Sequence, residues 1–499
     1  MKSFLISNIL LFLILLTALI LRFWQLGKVP PSLFLDEVSN GYNAYSILKT
    51  ARDEYGNFLP MTFRSFGDYN LALSVYTLVP SIAVFGLNDF AVRFPSALLG
   101  TITVFLTYLF ALKISQSKRL ALTSSLLLAI SPWHLQFSRY DHEANFMVFL
   151  VLLSVCLFLY SRSYWTFLAS IITLGLALNT YHAAKIWIPI FVICLIILYK
   201  KRILKYPVSQ LAIALIVFAI FTFPIIFNFE NSLIRGQSVG ILNVEKPINT
   251  FISNYLSHYS PNFLFAIPDP IGRHAVPGMG ELYIFELPLL LIGLLTLIRH
   301  KKPIDIKFLL TWFFLAPIPA ALAIPAPHAL RSLTFIPTFS IIAAYGVMAI
   351  FASQSKPLKY LVISALFLVA AYNVITYVHL YYVHYPKEKA ADWTSGYRQM
   401  VHYIDSIKDD YTTIAITNYF GHPYINVLFY SRFDPQTYQS QSEDKNKFDK
   451  FEFFGPSWEK KKPGKALVVT PPWQAHPEKV LHQVYAPNGD LVFTISEEE

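Results

Sequence analysis

The chain has 499 residues, of which 55% are hydrophobic and 16% aromatic, whereas only 14% are charged. A soluble fold of this composition would carry far more apolar surface than it could bury, so the sequence indicates a polytopic membrane protein. The formal net charge of +10 does not indicate nucleic-acid binding, because the basic residues form short clusters between apolar runs, as in cytoplasmic loops.

Eleven apolar runs are long enough to cross about 30 Å of hydrocarbon. They lie at 4–24, 90–112, 119–137, 144–160, 164–181, 185–199, 207–227, 281–298, 307–324, 331–351 and 358–380. No small-residue cleavage site follows the first run, so we predict a retained span and not a signal peptide. Cys156 and Cys194 both lie inside apolar runs and indicate neither a disulfide framework nor a zinc site.

The run 71–87 is ambiguous by length and composition. If it does not span, all the strongly basic loops, at 113–119, 200–205, 299–307 and 356–359, fall on one side of the membrane. We therefore predict a juxtamembrane helix in the outer leaflet. This topology of eleven spans places the N-terminus in the cytoplasm and the C-terminus outside. It also makes the acid-rich loops 25–89 and 228–280 extracytoplasmic.

After about Tyr385 the composition becomes mixed and polar. We predict a membrane domain over 1–384 and a soluble extracytoplasmic α/β domain over 385–499. In the second domain the patterns predict a helix at 397–407, a strand at 413–417 and a short helix at 424–430. A strand at 466–470 and a terminal hairpin of strands 480–484 and 491–495 complete it. The basic run 460–462 is typical of a solvated loop.

The first candidate site is the acidic pair Asp36-Glu37, about a dozen residues beyond the first span. A partly desolvated carboxylate at the membrane surface is suited to act as a general base. The structural alternative is an acidic first turn that stabilises the dipole of a helix over 38–49. Local sequence leaves both interpretations open.

A second cluster lies at the outer end of the third span: His134, Arg139, Asp141, His142 and Glu143. A guanidinium binds phosphoryl oxygens through paired hydrogen bonds. Asp141 or Glu143 is suited to orient an acceptor or to hold a divalent ion. The alternative is an interfacial belt of snorkelling side chains and internal salt bridges.

Two further external turns carry basic residues. Tyr181, His182 and Lys185 occupy one of them, where Lys185 and His182 suit an anionic headgroup or, alternatively, Lys185 snorkels. His328 and Arg331 occupy the other, in a proline-rich turn at 325–331. An outer arginine runs against the positive-inside trend, which favours an anionic partner.

The outer loop 228–280 adds His258 and Asp269 among aromatic and amide residues that can bind a sugar or line the interface. The sequence contains no Walker loop, dinucleotide fingerprint or HExxH motif. No complete metal-ligand set is visible, so a divalent metal is possible and no cofactor is certain.

Five segments of the chain together resemble recurring segments of the GT-C membrane glycosyltransferases. They are Leu35-Asp36-Glu37, the segment 86–96, Ser138-Arg139 with Glu143, the segment 181–185 and His328-Ala329-Leu330-Arg331. The resemblance is to the branch that contains protein O-mannosyltransferases and the lipid A aminoarabinose transferase. It covers roughly residues 1–350. It implies a mainly α fold, a helical bundle of about eleven spans with juxtamembrane helices in the first outer loop.

The resemblance also implies a sugar donor carried on a polyprenyl phosphate and inverting transfer at the extracytoplasmic face. Asp36 would be the base, Glu37 its support and Glu143 the acid of the second loop, with Asp141 its competitor. Arg139, Arg331, His328 and Lys185 would hold the donor phosphate. Asp141, His142, Tyr181, His182, His258 and Asp269 are further candidates for substrate binding.

The acceptor stays open between a glycan, a lipid and a protein, because the C-terminal domain lacks a β-trefoil pattern and a WWD motif. The principal alternative function is a transporter or flippase for a lipid-linked or anionic solute. A transporter is expected to carry ionisable or broken-helix features near the middle of the bilayer, whereas the charges of this chain gather at the outer edges. A non-catalytic scaffold would leave the acidic loops without a role.

Overall fold

The computed structural model describes residues 2–227, 240–299, 303–352, 356–441, 447–459, 463–474 and 479–498. The predicted basic run 460–462 and parts of the predicted loops 228–280 and 299–307 lie outside the described residues.

The helices of the described chain are α1 (Lys2–Phe23), α2 (Leu35–Thr50), α3 (Ala72–Phe85), α4 (Asp89–Ser115), α5 (Lys118–Ile130), α6 (Pro132–Ser138), α7 (Glu143–Tyr160), α8 (Tyr164–Leu178), α9 (Ala184–Ile203), α10 (Val208–Phe227), α11 (Pro247–Ser257), α12 (Glu286–Arg299), α13 (Ile304–Leu315), α14 (Ile318–Ala321), α15 (Ile336–Ala352), α16 (Lys356–His379), α17 (Tyr385–Glu388), α18 (Tyr397–Ile407), α19 (Pro423–Tyr430) and α20 (Pro435–Ser440). The strands are β1 (Thr62–Ser65), β2 (Asp68–Leu71), β3 (Thr413–Thr417), β4 (Lys447–Phe448), β5 (Phe451–Phe454), β6 (Ala466–Thr470), β7 (Lys479–Tyr485) and β8 (Leu491–Glu498).

The chain divides into two compact units. The membrane unit contains Met1–Trp24 and Ser96–Leu380, and the α/β unit contains Gln25–Pro95 and Tyr381–Glu499. The second break of this division lies between Leu380 and Tyr381, and residues 25–95 group with the C-terminal segment. The reason is a shared core, in which Val38 and Val75 of the first outer loop are buried with Ile404 and Ile425.

Each of the eleven predicted apolar runs contains at least one helix. Among the described residues, six helical segments are long and apolar enough to cross a membrane: Leu5–Phe23, Asp89–Ser115, Glu143–Tyr160, Ile304–Ala321, Leu333–Ala352 and Lys359–Glu388. The protein is therefore an integral membrane protein with a mainly helical fold. Helix α3 has 14 residues and rises about 21 Å, which is less than the thickness of the hydrocarbon core.

Two glycines bring α12 and α15 together inside the membrane unit. A Cβ atom at Gly293 would overlap the carbonyl oxygen of Ile342, and one at Gly346 would overlap that of Leu289. Lipid provides no hydrophobic drive for two apolar helices to associate, so close backbone approach at small residues is what holds such pairs together.

The α/β unit contains a mixed sheet of six strands in the order β4-β5-β3-β6-β8-β7. Strand β3 pairs in parallel with β5 and β6, whereas β8 pairs antiparallel with β6 and β7. These elements confirm the predicted helix 397–407, the strands 413–417 and 466–470 and the terminal hairpin. Helix α2 packs into the same core, where a Cβ atom at Gly41 would lie 2.6 Å from a ring carbon of Phe429.

Candidate functional site

Asp36 and Glu37 lie in the first turn of α2. Glu37 is buried, and its Oε2 accepts a hydrogen bond from the backbone N–H of Phe34 at 3.0 Å. It therefore acts as a cap for the helix start, as the structural alternative requires. Asp36 is only partly buried. Glu37 is thus held inside the protein, whereas the carboxylate of Asp36 is partly exposed.

Glu37 is held by Arg93, which was not among the predicted site residues. Arg93 Nε lies 3.1 Å from Glu37 Oε1, and both side chains are buried. Its Nη1 donates to the carbonyl oxygens of Leu26 at 3.2 Å and Pro30 at 2.8 Å. Arg93 therefore ties the segment before α2 to the first turn that carries Asp36. The one available sequence signal was its place in the segment 86–96, which carries part of the family resemblance.

In the membrane unit, the buried side chains of Asp269, His274 and His328 converge, with one potential ligand atom from each residue within 4.8 Å of the others. His274 Nδ1 lies 3.3 Å and His328 Nδ1 3.9 Å from Asp269 Oδ2. The backbone N–H of Ala329 donates to Asp269 Oδ2 at 2.7 Å. The predicted candidates included Asp269 and His328 but not His274, because His328 lies far from the other two along the chain and the three form no recognisable ligand spacing.

His258 supports this triad from the residue after α11. Its Nε2 accepts a hydrogen bond from the backbone N–H of His328 at 3.1 Å, and its Nδ1 lies 2.7 Å from the carbonyl oxygen of Asn254. The second contact fixes the tautomer, with the proton on Nδ1 facing the carbonyl. The predicted candidate His258 thus positions His328.

The pKa values of these groups suit ligation of a cation. Burial lowers the pKa of His328 to about 2, with the neighbouring His274 and Arg331 acting in the same direction. Burial likewise lowers the pKa of His274 and brings that of His258 to about 4. Burial alone would raise the pKa of Asp269, but its contacts with His274 and with the Ala329 N–H outweigh it, and the pKa is lowered. A carboxylate with two neutral imidazoles results.

A divalent metal fits these residues. Two neutral imidazoles and a carboxylate are a common ligand set for a divalent ion. His274 Nδ1 is buried and does not meet the geometry of a hydrogen bond, although Asp269 Oδ2 lies 3.3 Å away. A cation bound by both atoms would satisfy this nitrogen. When bound, the ion would supply positive charge to phosphoryl oxygens.

A second group of predicted residues assembles in the same unit around Arg331. The Arg331 guanidinium interacts electrostatically with the phenol of Tyr181, and its Nη1 donates to the carbonyl oxygen of Ile324 at 3.2 Å. The ring of Tyr181 lies 5.6 Å from that of His142, whose Nδ1 lies 3.4 Å from Glu143 Oε2. Burial lowers the pKa of His142 to about 3, with His274 and Arg273 adding to the shift. His142 is therefore neutral, and its contact with Glu143 is not an ion pair.

Arg139 has a different environment. Its Nη1 donates to the carbonyl oxygens of Leu21 at 2.7 Å and Arg22 at 2.9 Å, and its Nη2 donates to that of Trp24 at 2.7 Å. The side chain is 1% exposed. These bonds satisfy the last carbonyl groups of α1, so they favour a structural role over the predicted phosphate contact.

The remaining candidates lie at the edges of the cluster. Lys185 Nζ lies 3.5 Å from His182 Nδ1, and both side chains are partly buried. Asp141 is buried, with 2% of its surface exposed, whereas Glu143 is partly exposed. Of the two acids that competed for the second-loop role, Glu143 is thus the more accessible.

The family model that matches this chain is that of dolichyl-phosphate-mannose-protein mannosyltransferase, over residues 12–231. An uncharacterized protein from Aquifex aeolicus is 30% identical over 203 residues, which cover 39% of this chain and 39% of the relative. The chain thus aligns with well under two thirds of that relative's length.

Two solved structures share the fold. The ArnT structure from Cupriavidus metallidurans bound to undecaprenyl phosphate matches with a TM-score of 0.57 and 14% identity, over 97% of each chain. The Archaeoglobus fulgidus oligosaccharyltransferase tethered to an acceptor peptide matches with a TM-score of 0.52 and 13% identity, over 85% of this chain and 63% of that chain. The predicted resemblance is confirmed: the chain shares the fold of these GT-C structures and is similar to the mannosyltransferase family model over residues 12–231.

Proposed function

We propose that the protein transfers a sugar from a polyprenyl-phosphate donor to an acceptor hydroxyl or amine at the extracytoplasmic face of the membrane. The observation that carries the proposal is the cluster of Arg331, Tyr181 and Glu143 in the same unit as the buried triad Asp269, His274 and His328. Such a cluster places cationic and cation-binding groups together, as the departure of a lipid phosphate requires.

The reaction is a single displacement. The acceptor oxygen or nitrogen forms a bond to the anomeric carbon, and the bond from that carbon to the phosphate oxygen breaks. The phosphate leaves with the bonding electrons, and the acceptor proton passes to Asp36. Attack from the side opposite the leaving group inverts the anomeric configuration.

Each residue has a defined part in this proposal. Asp36 is the base, because it is accessible while its neighbour Glu37 is buried against Arg93. Arg331 binds the lipid phosphate, since it is partly exposed and a hydrogen bond from its Nη1 to the carbonyl oxygen of Ile324 orients the guanidinium. Glu143 orients the acceptor, and Lys185 adds positive charge. The acceptor class is a glycan, a lipid or a protein.

The test uses purified protein in nanodiscs with a panel of radiolabelled polyprenyl-phosphate sugars, and scores sugar released or transferred. We expect Asp36→Asn to lower turnover by roughly 10²- to 10⁴-fold, which is typical of the loss of a general base. Asp409→Asn, at a carboxylate that is 94% exposed, is the matched control. Unchanged turnover in Asp36→Asn would remove this residue from the base role, and no turnover of any donor by the wild type would favour the transporter alternative.

A further inference from the structure

Three aromatic side chains form a cluster on the α/β unit that the proposed chemistry does not use. The rings of Tyr419 and Trp473 lie 4.8 Å apart, edge to face. Phe420 lies beneath them, 5.1 Å from Tyr419 and 6.1 Å from Trp473. Tyr419 is 60% and Trp473 61% exposed. Two large aromatic side chains thus face solvent at adjacent positions, and we call Tyr419, Phe420 and Trp473 the aromatic platform.

The platform is anchored to the core of the unit. Phe420 packs edge to face against Phe493 at 5.3 Å, and Phe493 is fully buried. The backbone N–H of Tyr419 donates to Thr417 Oγ1 at 3.2 Å, and Gln474 Nε2 donates to the carbonyl oxygen of Pro456 at 3.0 Å. Rings fixed in this way bind a ligand with little loss of side-chain entropy.

The position of the platform in the sheet is that of a ligand site. Tyr419 and Phe420 follow β3, and Trp473 follows β6, and these two strands are parallel neighbours. Ligands of open α/β sheets bind outside the carboxyl ends of parallel strands. The loop that carries Tyr419 also contacts the start of α2, because a Cβ atom at Gly421 would lie 3.2 Å from Leu35 Cδ1. Leu35 immediately precedes Asp36, so the loop that carries Tyr419 lies next to the first turn of α2.

The chemistry of the platform and its flanks matches a saccharide. Aromatic faces cover the C–H surfaces of a sugar ring, while amides and imidazoles bond its hydroxyl groups. The polar residues beside the rings in the chain are Asn418 and His422, both exposed, and Gln474, which is partly exposed.

We propose that the aromatic platform binds the saccharide portion of the acceptor and presents its hydroxyl group to Asp36. The inference rests on the proposed function and narrows the acceptor to a glycan or a glycan-bearing molecule. In this proposal Tyr419 and Trp473 bind the acceptor. Their replacement weakens the affinity for the acceptor and leaves the cleavage of the polyprenyl-phosphate donor unchanged.

The experiment measures binding of the purified full-length protein, in detergent, to an array of defined oligosaccharides. We expect the wild type to bind at least one oligosaccharide class, and Tyr419→Ala/Trp473→Ala to bind it about tenfold or more weakly, since two stacking contacts are lost. Tyr485→Ala, at a 47% exposed tyrosine of the edge strand β7, is the control and should bind as the wild type does. Trp473→Phe keeps a ring and should recover part of the affinity.

Donor hydrolysis with radiolabelled polyprenyl-phosphate sugars is measured on the same preparations. Equal glycan binding by the double variant and the wild type overturns the inference, as does a wild type that binds no glycan while it consumes a donor. If the double variant loses activity in nanodiscs but binds glycans normally, the rings contact the membrane and the inference is also wrong. If glycan binding depends on the aromatic platform but no donor is turned over, the proposed function is contradicted. The glycan-binding role of the platform is then retained.

Discussion

Arg93 and Glu37 form a buried ion pair, with Nε 3.1 Å from Oε1 and Nη2 3.3 Å from Oε2. The guanidinium also stacks over the ring of Trp393 at 5.5 Å from its centroid. Two paired hydrogen bonds make this a geometry that lysine cannot reproduce. The direction of the first turn of α2, and with it of Asp36, depends on this pair.

Breaking the pair at either end should destabilise the α/β unit. Glu37→Gln or Arg93→Met leaves one buried charge without its counterion, and the expected loss is about 3–5 kcal/mol for each variant. Thermal or denaturant unfolding of the purified protein measures it. Removal of both charges in Glu37→Gln/Arg93→Met should cost less than the two single losses added together.

The exposed Arg64 of β1 provides the control for that cycle, because Arg64→Met should change stability by no more than about 0.5 kcal/mol. Additive losses in the double variant would mean that Glu37 and Arg93 are not coupled, and the anchoring role of the pair would then be wrong.

The elements of the fold that the sequence predicted are those with a strong local pattern. Long apolar runs identify the helices of the membrane unit. Short apolar runs that are buried along their whole length identify β3 and β6, and two short runs on either side of the turn Pro487-Asn488-Gly489-Asp490 identify the terminal hairpin. The short strands β4 and β5 and the helix α20 carry too few residues for such a pattern. The grouping of 25–95 with the C-terminal segment was also not predictable, since it depends on tertiary contacts such as that of Gly41 with Phe429.

The candidate site also contains residues that the sequence identifies and residues that only tertiary contacts reveal. Sidedness along the chain is enough to group Glu143, His328, Arg331 and Asp269, because the positive-inside rule assigns all four to outer turns of one membrane face. The same rule does not single out His274 and Arg93, since their roles arise from partners distant in sequence. Residue type and the family resemblance both predict a phosphate contact for Arg139, whereas its guanidinium donates to carbonyl groups at the end of α1.

The triad Asp269, His274 and His328 predicts a bound divalent ion, to be measured by elemental analysis of the purified protein. His274→Ala and His328→Ala should each weaken metal binding by at least about tenfold. At a free metal concentration near 100 times the dissociation constant, the ion should stabilise the wild type by about 2.7 kcal/mol and these variants by less. His384→Ala, at a histidine whose side chain is 47% exposed, should retain the metal. Equal metal content in all variants would place the ion elsewhere.

Arg331→Ala should raise KM for the polyprenyl-phosphate donor, because the guanidinium is expected to pair with the lipid phosphate. Charge-assisted hydrogen bonds of this kind contribute about 1.5–3 kcal/mol, so the expected loss in kcat/KM is at least about tenfold. Arg331→Lys keeps the charge but not the paired donors and should recover part of the loss. Steady-state kinetics with varied donor measures both, with the exposed Arg162 replaced by alanine as the control. A normal donor KM in Arg331→Ala would contradict the phosphate role.

Gly346 and Gly293 give the most direct test of packing in the membrane unit. Replacing a helical glycine by alanine normally favours the helix by about 0.5–1 kcal/mol. Here the new Cβ would overlap the backbone carbonyl of Leu289 or Ile342, and a backbone cannot move aside as a flexible side chain can. The strain of such overpacking, about 1–3 kcal/mol or more, should outweigh the gain in propensity. Gly346→Ala should therefore lower the unfolding temperature in detergent, whereas Gly455→Ala, where a Cβ meets open space, should leave it unchanged. A Gly346→Ala variant as stable as the wild type would show that α12 and α15 are not in backbone contact.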